Sequence, residues 1–402
     1  MSDMSYLQEK PIAVLGGGAT GRTQAADCAL AGKTVRLYEL PEFKDSLGTI
    51  LENRRIALGG PQDNLYGFRR DGIAEIDVVT TDMQTAVQGA GLVVISLPAV
   101  GFKAIFERLI PHLEDGQVIH FMTGNFGSLM LRRMMREAGC KKEVIMGEWS
   151  SMPYGTRIET QGGIQMPSLK VIYRAITLRG AALPGKDQDK FFESVKYLPS
   201  MSAVRHPVHG DTVVDIGFSN VNPILHVPGT LLGVSTMENF GLVFGDNKHD
   251  FSIYSHAYCP SISEIQYEVY QEECKIAEAM GVGIQPFEKE EFFSRSNILG
   301  AEFMGPGCKM PFEEQCEFAL GTGPFSIHNR YITEDVPVGC FIFYQLGQKF
   351  GVSTPIIESM IHIASVMTKT NFFSSGVTLE DLGIAHMSKD ELAAYLREGI
   401  LP

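Results

Sequence analysis

No apolar run in the 402-residue chain approaches the roughly 18 residues a membrane-spanning helix needs, so no span is expected. The N-terminus MSDMSYLQEKP lacks the basic start and apolar middle of an export signal, which points to the cytoplasm. There is no CxxC pair, and the seven cysteines are an odd number; a disulfide framework is therefore not expected, nor is a metal site. Positive charge is in short supply, 34 Lys and Arg against 47 Asp and Glu for a net charge of −13. That balance argues against nucleic acid and anionic membrane as partners, and any anionic substrate must be met by locally placed arginines. Internal repeats and low-complexity linkers are also missing.

What remains is an ordinary globular composition, 44% hydrophobic and 20% charged, in a chain long enough for two domains. The opening stretch PIAVLGGGATGRTQAADCALAGKTVRLYEL places an apolar run before a glycine cluster, an alanine-rich helical pattern ending at Gly32, and a second apolar run. This is the order of a βαβ unit. Gly16, Gly18 and Gly21 fit GxGxxG: the first for the turn, the second for close approach of a pyrophosphate, the third for helix–strand packing. Ala19 and Thr20 then open the helix, whose free N–H groups suit phosphates. Glu39 lies 23 residues after Gly16 (39 − 16), where a carboxylate accepts ribose hydroxyls and repels a 2′-phosphate. NAD is expected over NADP, with Arg22 and Arg36 the residues able to reverse that choice.

Further runs read as strands of the same sheet: Ile73 to Asp82, Gly91 to Val100 ending in Ser96-Leu97-Pro98, and Gly116 to Leu129 passing through Thr123-Gly124-Asn125. Ligands of open α/β sheets bind at the C-terminal ends of strands, which brings Pro98 and Asn125 to the cofactor. Glu143 to Ile158 is another strand followed by a loop, Ser168 to Gly185 a strand or hairpin, and KDQDKFFESVKYLPS a helix. Beyond this the pattern turns helical, at Ile262 to Gly281, Cys340 to Gly351 and Pro355 to Met367. The expected architecture is an α/β Rossmann-type dinucleotide-binding domain over residues 1–203, then a mainly α-helical catalytic or substrate domain over 204–402. A role for that half in dimerisation leaves a homodimer open.

Two stretches of the second half read as loops dense in functional side chains, NVNPILHVPG and HNRYITEDVPVG. A histidine, a carboxylate to orient it and an arginine to grip an anion make a general acid/base unit with a substrate clamp. His206, His209, His249, His256 and His328 have no evident partners in the sequence.

GGGATG, SLPAV, TGNFGSL, EWSSMPYGTR, NPILHVPG, RYITEDVPVG and LGQKFGVSTP, in this order over most of the chain, resemble the octopine/nopaline (opine) dehydrogenases. The resemblance implies a Rossmann domain with a helical C-terminal domain. It also implies an enzyme that uses reduced nicotinamide cofactor to join a 2-oxo acid such as pyruvate to the nitrogen of an amino acid or amine. Carried over, the catalytic histidine falls on His226, its partner aspartate on Asp335, and the carboxylate-gripping arginine on Arg330. Tyr254, in FGDNKHDFSIYSHAYCPS, is taken as a substrate contact. The segment Gly305 to Ser326 and the region Met237 to Tyr258 are expected to shape the pocket and set the amino donor. Two other functions stay open: reduction of a simple ketone or 2-oxo acid to an alcohol by the same architecture, and a non-catalytic NAD-binding regulator.

Overall fold

A computed structural model describes residues 4–245, 247–293 and 322–402. The chain divides into two compact units, Met1–Ile216 with Asp390–Pro402, and Gly217–Lys389. The boundary expected after residue 203 falls inside the first unit, because His206–His209 adds an edge strand to its sheet and the chain's end returns to it.

The strands of the first unit are β1 (Ile12–Leu15), β2 (Val35–Tyr38), β3 (Arg55–Gly59), β4 (Gly72–Glu75), β5 (Val78–Thr80), β6 (Leu92–Ile95), β7 (Val118–Met122), β8 (Ile145–Trp149), β9 (Tyr154–Gln161), β10 (Ile164–Arg174), β11 (Thr177–Leu183) and β12 (His206–His209). Eight of them form one sheet in the order β12-β11-β8-β7-β6-β1-β2-β5. It is parallel except where β11 runs antiparallel to β8. Strands β1, β6 and β7 are buried at every position, which is why they read as continuous apolar runs rather than alternating ones. The chain goes from β1 outward through β2 to β5, then crosses to β6 on the other side of β1. Strand order therefore reverses at β1, the kind of switch point where α/β sheets take ligands.

The stretch Ile73 to Asp82 is not one strand of this sheet. It splits between β4, in a separate four-stranded sheet ordered β4-β3-β10-β9, and β5, at the edge of the main sheet. Only Ala74 of β4 is buried and Ile73 is 67% exposed, so this segment lacks the two buried faces of a central strand. A buried ion pair links the small sheet to helix Ala19–Leu30: Arg174 at the end of β10 grips Asp27 through both terminal nitrogens at 2.8 and 3.1 Å. Its Nε donates to Gln62 at 2.8 Å, and Arg70 adds a contact to Asp27 at 2.8 Å. Such a pair is costly to break, because removing one partner leaves the other charge buried. The helix expected in KDQDKFFESVKYLPS is the short Gln188–Ser194. The last helix, Lys389–Glu398, brings Tyr395 and Leu396 into the core of this unit, and Gly399 lies against Pro184 and Arg132.

The second unit is built from helices Asn222–Leu232, Val234–Val243, Pro260–Met280, Arg330–Thr333, Phe341–Phe350 and Pro355–Thr368. Gly281 and Gly351 end two of them with φ of +72° and +73°, a left-handed cap that costs glycine little. Pro355 occupies a first turn, and the carboxylate of Glu272 receives the N–H groups of Ile356 and Ile357 at 2.8 and 2.9 Å. This satisfies two orphan donors and complements the helix dipole. Among the described residues no helix is long and apolar enough to cross a membrane.

Candidate active site

In the first unit the turn after β1 is shaped by backbone geometry. Gly16 has φ +117°, and a Cβ there would stand 2.4 Å from the Ser96 carbonyl oxygen. A Cβ at Gly21 would stand 1.7 Å from the carbonyl oxygen of Gly16, so the helix can approach the strand only through a glycine. Gly18 differs: it is exposed, and a Cβ would meet nothing within 4 Å. The first and third glycines are thus required by the protein itself, while the second faces open space at the start of helix Ala19–Leu30. Ala19 and Thr20, half-buried, begin that helix, whose first N–H groups have no intrahelical acceptor. This is the cradle a pyrophosphate fits.

Glu39 follows β2. One carboxylate oxygen accepts from Gly17 N at 2.9 Å and the other from Leu40 N at 2.8 Å. Burial pushes its carboxyl above the usual range, opposed by those two N–H groups and by Arg22. Arg22 is buried beneath the turn, giving Nε to Gly17 O at 2.6 Å and a terminal nitrogen to Ser46 O at 2.5 Å. Arg36 donates to Gln88 O at 2.6 Å and Thr85 O at 3.0 Å. Both arginines named as able to welcome a 2′-phosphate are therefore engaged with main-chain carbonyls. Pro98 lies exposed beyond the end of β6, and Asn125 lies half-buried beyond β7 with φ 47°. Gly16 to Gly21, Glu39, Pro98 and Asn125 thus follow the C-terminal ends of four neighbouring strands.

In the second unit His226 stands on a helix, not in the loop that the prolines of NPILHVPG suggest. Pro223 occupies the first turn of Asn222–Leu232 and Pro228 lies inside it. Proline at 228 removes a donor and crowds the preceding turn. The Leu225 carbonyl of this helix also accepts from the Tyr258 hydroxyl at 2.8 Å and the Gln266 amide at 3.2 Å, tying the helix to its neighbours. Glycines bring the other elements in close. A Cβ at Gly229 would stand 2.4 Å from the Tyr258 ring, and one at Gly233 2.5 Å from Ala257 Cβ, so the turn Ile253–Ala257 packs directly on the helix and carries Tyr254 with it. On the other side a Cβ at Gly339 would stand 2.5 Å from Pro223, which seats the turn Val336–Cys340 and its leading residue Asp335.

Three elements consequently converge on one buried imidazole. His226 Nδ1 is 2.7 Å from Asp335 Oδ2, and Nε2 is 3.0 Å from the Tyr254 hydroxyl. The Tyr331 ring lies 3.7 Å from the imidazole at an interplanar angle of 10°. A carboxylate at Nδ1 selects the tautomer protonated there, leaving Nε2 as the acceptor of the Tyr254 proton and the nitrogen open to proton exchange. Arg330 pairs with Glu334 at 3.4 Å, its side chain 57% exposed against 7% for the carboxylate. The i,i+4 spacing explains both pairings: Arg330 meets Glu334, and Tyr331 shares a face with Asp335. Glu334, the carboxylate that Arg330 meets, stands at a four-residue spacing legible in the sequence; the Tyr331 stack on His226 is not.

The other histidines have structural surroundings. His206 bonds the Tyr66 hydroxyl at 2.6 Å, His209 stacks on Phe192 at 3.8 Å, His256 Nδ1 accepts from Ser252 N at 2.9 Å, His249 meets the Phe325 ring edge-on, and His328 is exposed. Of the segment 305–326, residues through 321 lie outside those described.

A mainly parallel α/β sheet with a glycine turn at its switch point, followed by a helical unit holding a buried His–Asp pair, is the architecture of Rossmann-type dehydrogenases with a helical second domain. The family model described as NAD/NADP octopine/nopaline dehydrogenase, alpha-helical domain, matches residues 209–368. An opine dehydrogenase of Arthrobacter sp. (strain 1C) is 27% identical over 98% of this chain and 99% of its own. Protein ocs of Agrobacterium vitis is 23% identical over 96% and 98%. Octopine dehydrogenase solved with NADH and L-arginine has a TM-score of 0.69 at 15% identity, covering 96% of this chain and 98% of that one. Yersinopine dehydrogenase with NADP+ bound has a TM-score of 0.66 at 14% identity, covering 98% and 99%; at such identities the structural likenesses speak for the fold. Along nearly its whole length the chain is thus similar to opine dehydrogenases, and residues 209–368 match the family's helical domain.

Proposed function

We propose that this protein is an NAD-dependent opine dehydrogenase, condensing a 2-oxo acid with the amino group of an amino acid or amine and reducing the product to a secondary amine dicarboxylate or its amine analogue. The observation that carries the reading is the buried His226 held between Asp335 at Nδ1 and Tyr254 at Nε2. The relatives named above include an opine dehydrogenase, an octopine dehydrogenase and a yersinopine dehydrogenase, and one solved neighbour was determined with NADH and pyruvate.

The dinucleotide would be held at Gly16, Gly18, Ala19, Thr20 and Gly21, with Glu39 on the adenosine ribose and Pro98 and Asn125 at the neighbouring strand ends. The open space at Gly18 and the uncapped helix start fit a pyrophosphate, and the Glu39 carboxylate fits NAD better than NADP. Bound NADH supplies the hydride that the imine carbon needs. His226 moves the proton: Nε2 takes it from the secondary amine in oxidation and returns it in reduction. Asp335 fixes the tautomer and stabilises the imidazolium that forms. Tyr254 touches the same nitrogen and lies where substrate contact is expected. Arg330, largely exposed and steadied by Glu334, binds a substrate carboxylate through its planar fork. A cytoplasmic setting and a homodimer belong to the same reading.

The test is NADH consumption with pyruvate alone and with pyruvate plus a panel of amino acids and amines, with product masses measured. Consumption that needs the amine and yields the secondary amine is the expected result. Equal rates with and without amine would instead assign the site to alcohol formation, and binding without turnover on any pair would leave a non-catalytic binder.

A further inference from the structure

The turn that leaves β7 contains two successive non-glycine residues in the left-handed region, Asn125 at φ 47° and Phe126 at φ 62°. Asparagine tolerates that conformation; a bulky residue such as phenylalanine does so only under outside constraint. The constraint comes from Glu148 on the adjacent strand β8. One of its carboxylate oxygens accepts from Phe126 N at 3.0 Å. The other accepts from Ser128 N at 2.8 Å and from the Ser128 hydroxyl. Gly124 N donates to Trp149 O at 2.9 Å, closing the turn from the other side. The position is a glycine for a reason: a Cβ at 124 would stand 2.1 Å from the Glu148 carboxylate oxygen.

We propose that Glu148 is a positioning residue of the dinucleotide site, its ionised carboxylate holding the Asn125–Phe126 turn in the form that meets the cofactor, so that protonating it weakens NADH binding. This rests on the assignment of Asn125 to that site. Glu148 is wholly buried, and the residues paired with it on the flanking strands, Phe121 and Ala181, are uncharged. Burial pushes its carboxyl up to about 7, while the Ser128 hydroxyl and the Ser128 and Phe126 N–H groups hold it down. Charged groups do not contribute to that balance, so the three donors of the turn are what keep the ionised form in place. Above this pH the carboxylate offers lone pairs to all three donors. Below it one oxygen carries a proton, and the turn loses part of its support.

NADH binding to the full chain, followed by the fluorescence of the bound nucleotide without any substrate, reads this directly. Between about pH 8 and about pH 6 the dissociation constant is expected to rise roughly 3- to 10-fold. Glu148→Gln should bind at the weaker level at both pH values, because an amide cannot accept from donors on both sides. Ser128→Ala removes a bond to the charged form, so the midpoint of the pH dependence should move upward while the fold keeps its buried carboxyl. A parent protein whose affinity is flat over this range, or a Glu148→Gln protein that binds as the parent does at high pH, overturns the inference. Failure of the parent to bind NADH at any pH would instead overturn the dinucleotide reading beneath it.

Discussion

The turn at Gly16 to Gly21 and the pocket around His226 are made in opposite ways. The first is a backbone site: two of its glycines are fixed by contacts of 2.4 and 1.7 Å that any Cβ would make, and a third faces open space. The second is a side-chain site, in which Asp335, Tyr254 and Tyr331 arrive from three other elements around one imidazole. Yet glycine serves the second as well. Gly229, Gly233 and Gly339 let the turns that carry Tyr254 and Asp335 approach the helix closely. At Gly18 the missing side chain leaves open space at a helix start, whereas at Gly229, Gly233 and Gly339 it makes room for the protein's own elements. The two kinds of site should therefore fail differently when altered.

The largest effect belongs to His226→Ala, which should lower turnover roughly 10²- to 10⁴-fold while leaving NADH affinity near that of the parent, because it removes proton transfer and no cofactor contact. Stopped-flow turnover paired with NADH titration checks it; normal turnover would end the acid/base assignment. Next comes Gly21→Ala, which overpacks the turn against the Gly16 carbonyl and should cost about 1–3 kcal/mol of stability in the first unit. Gly18→Ala is its foil. Thermal melting should show it close to the parent, with the loss confined to NADH affinity; equal melting shifts for both glycines would erase the distinction between required and open positions.

Tyr331→Leu should lower turnover about tenfold through loss of the ring that fixes the imidazole plane, with the Michaelis constant for the 2-oxo acid little changed. Tyr331→Phe keeps the ring and should restore most of the rate. A phenylalanine variant as slow as leucine would assign the effect to the hydroxyl. Smallest is Glu39→Ala, expected to weaken NADH a few-fold and to narrow the preference over NADPH, since on the proposed reading the carboxylate would accept from ribose and repel a 2′-phosphate. An unchanged NADH to NADPH ratio of Kd values would place the ribose elsewhere.

Much of the first unit was legible because its signals are local. A strand, a glycine turn, a helix and a second strand fall within thirty residues, and their hydrophobic periods identify them without reference to the rest of the chain. The four-stranded sheet was not legible for the converse reason. It pairs Ala57 with Ser168, across a span no local pattern announces, and its strand Gly72–Glu75 shows only one buried residue. The helical unit was read correctly where glycine and proline mark helix ends and misread where they lie within an element. Pro223 and Pro228 suggest a loop, but Pro223 sits in a first turn where no N–H is needed, and the helix Asn222–Leu232 runs through both. His226 and Asp335 are 109 residues apart, and their association was expected from family resemblance. Spacing alone pointed to neither the Tyr331 stack nor the contact between Tyr254 and Nε2, since both depend on how separate turns pack.

The return of residues 390–402 to the first unit has a consequence for biosynthesis. The helical unit is an insertion, so on the ribosome its whole length is made before the segment bearing Tyr395 and Leu396 emerges. The core of the first unit is short of two large side chains until residues 390–402 emerge. Order of synthesis and order of completion are thus reversed: the unit begun first is the one finished last.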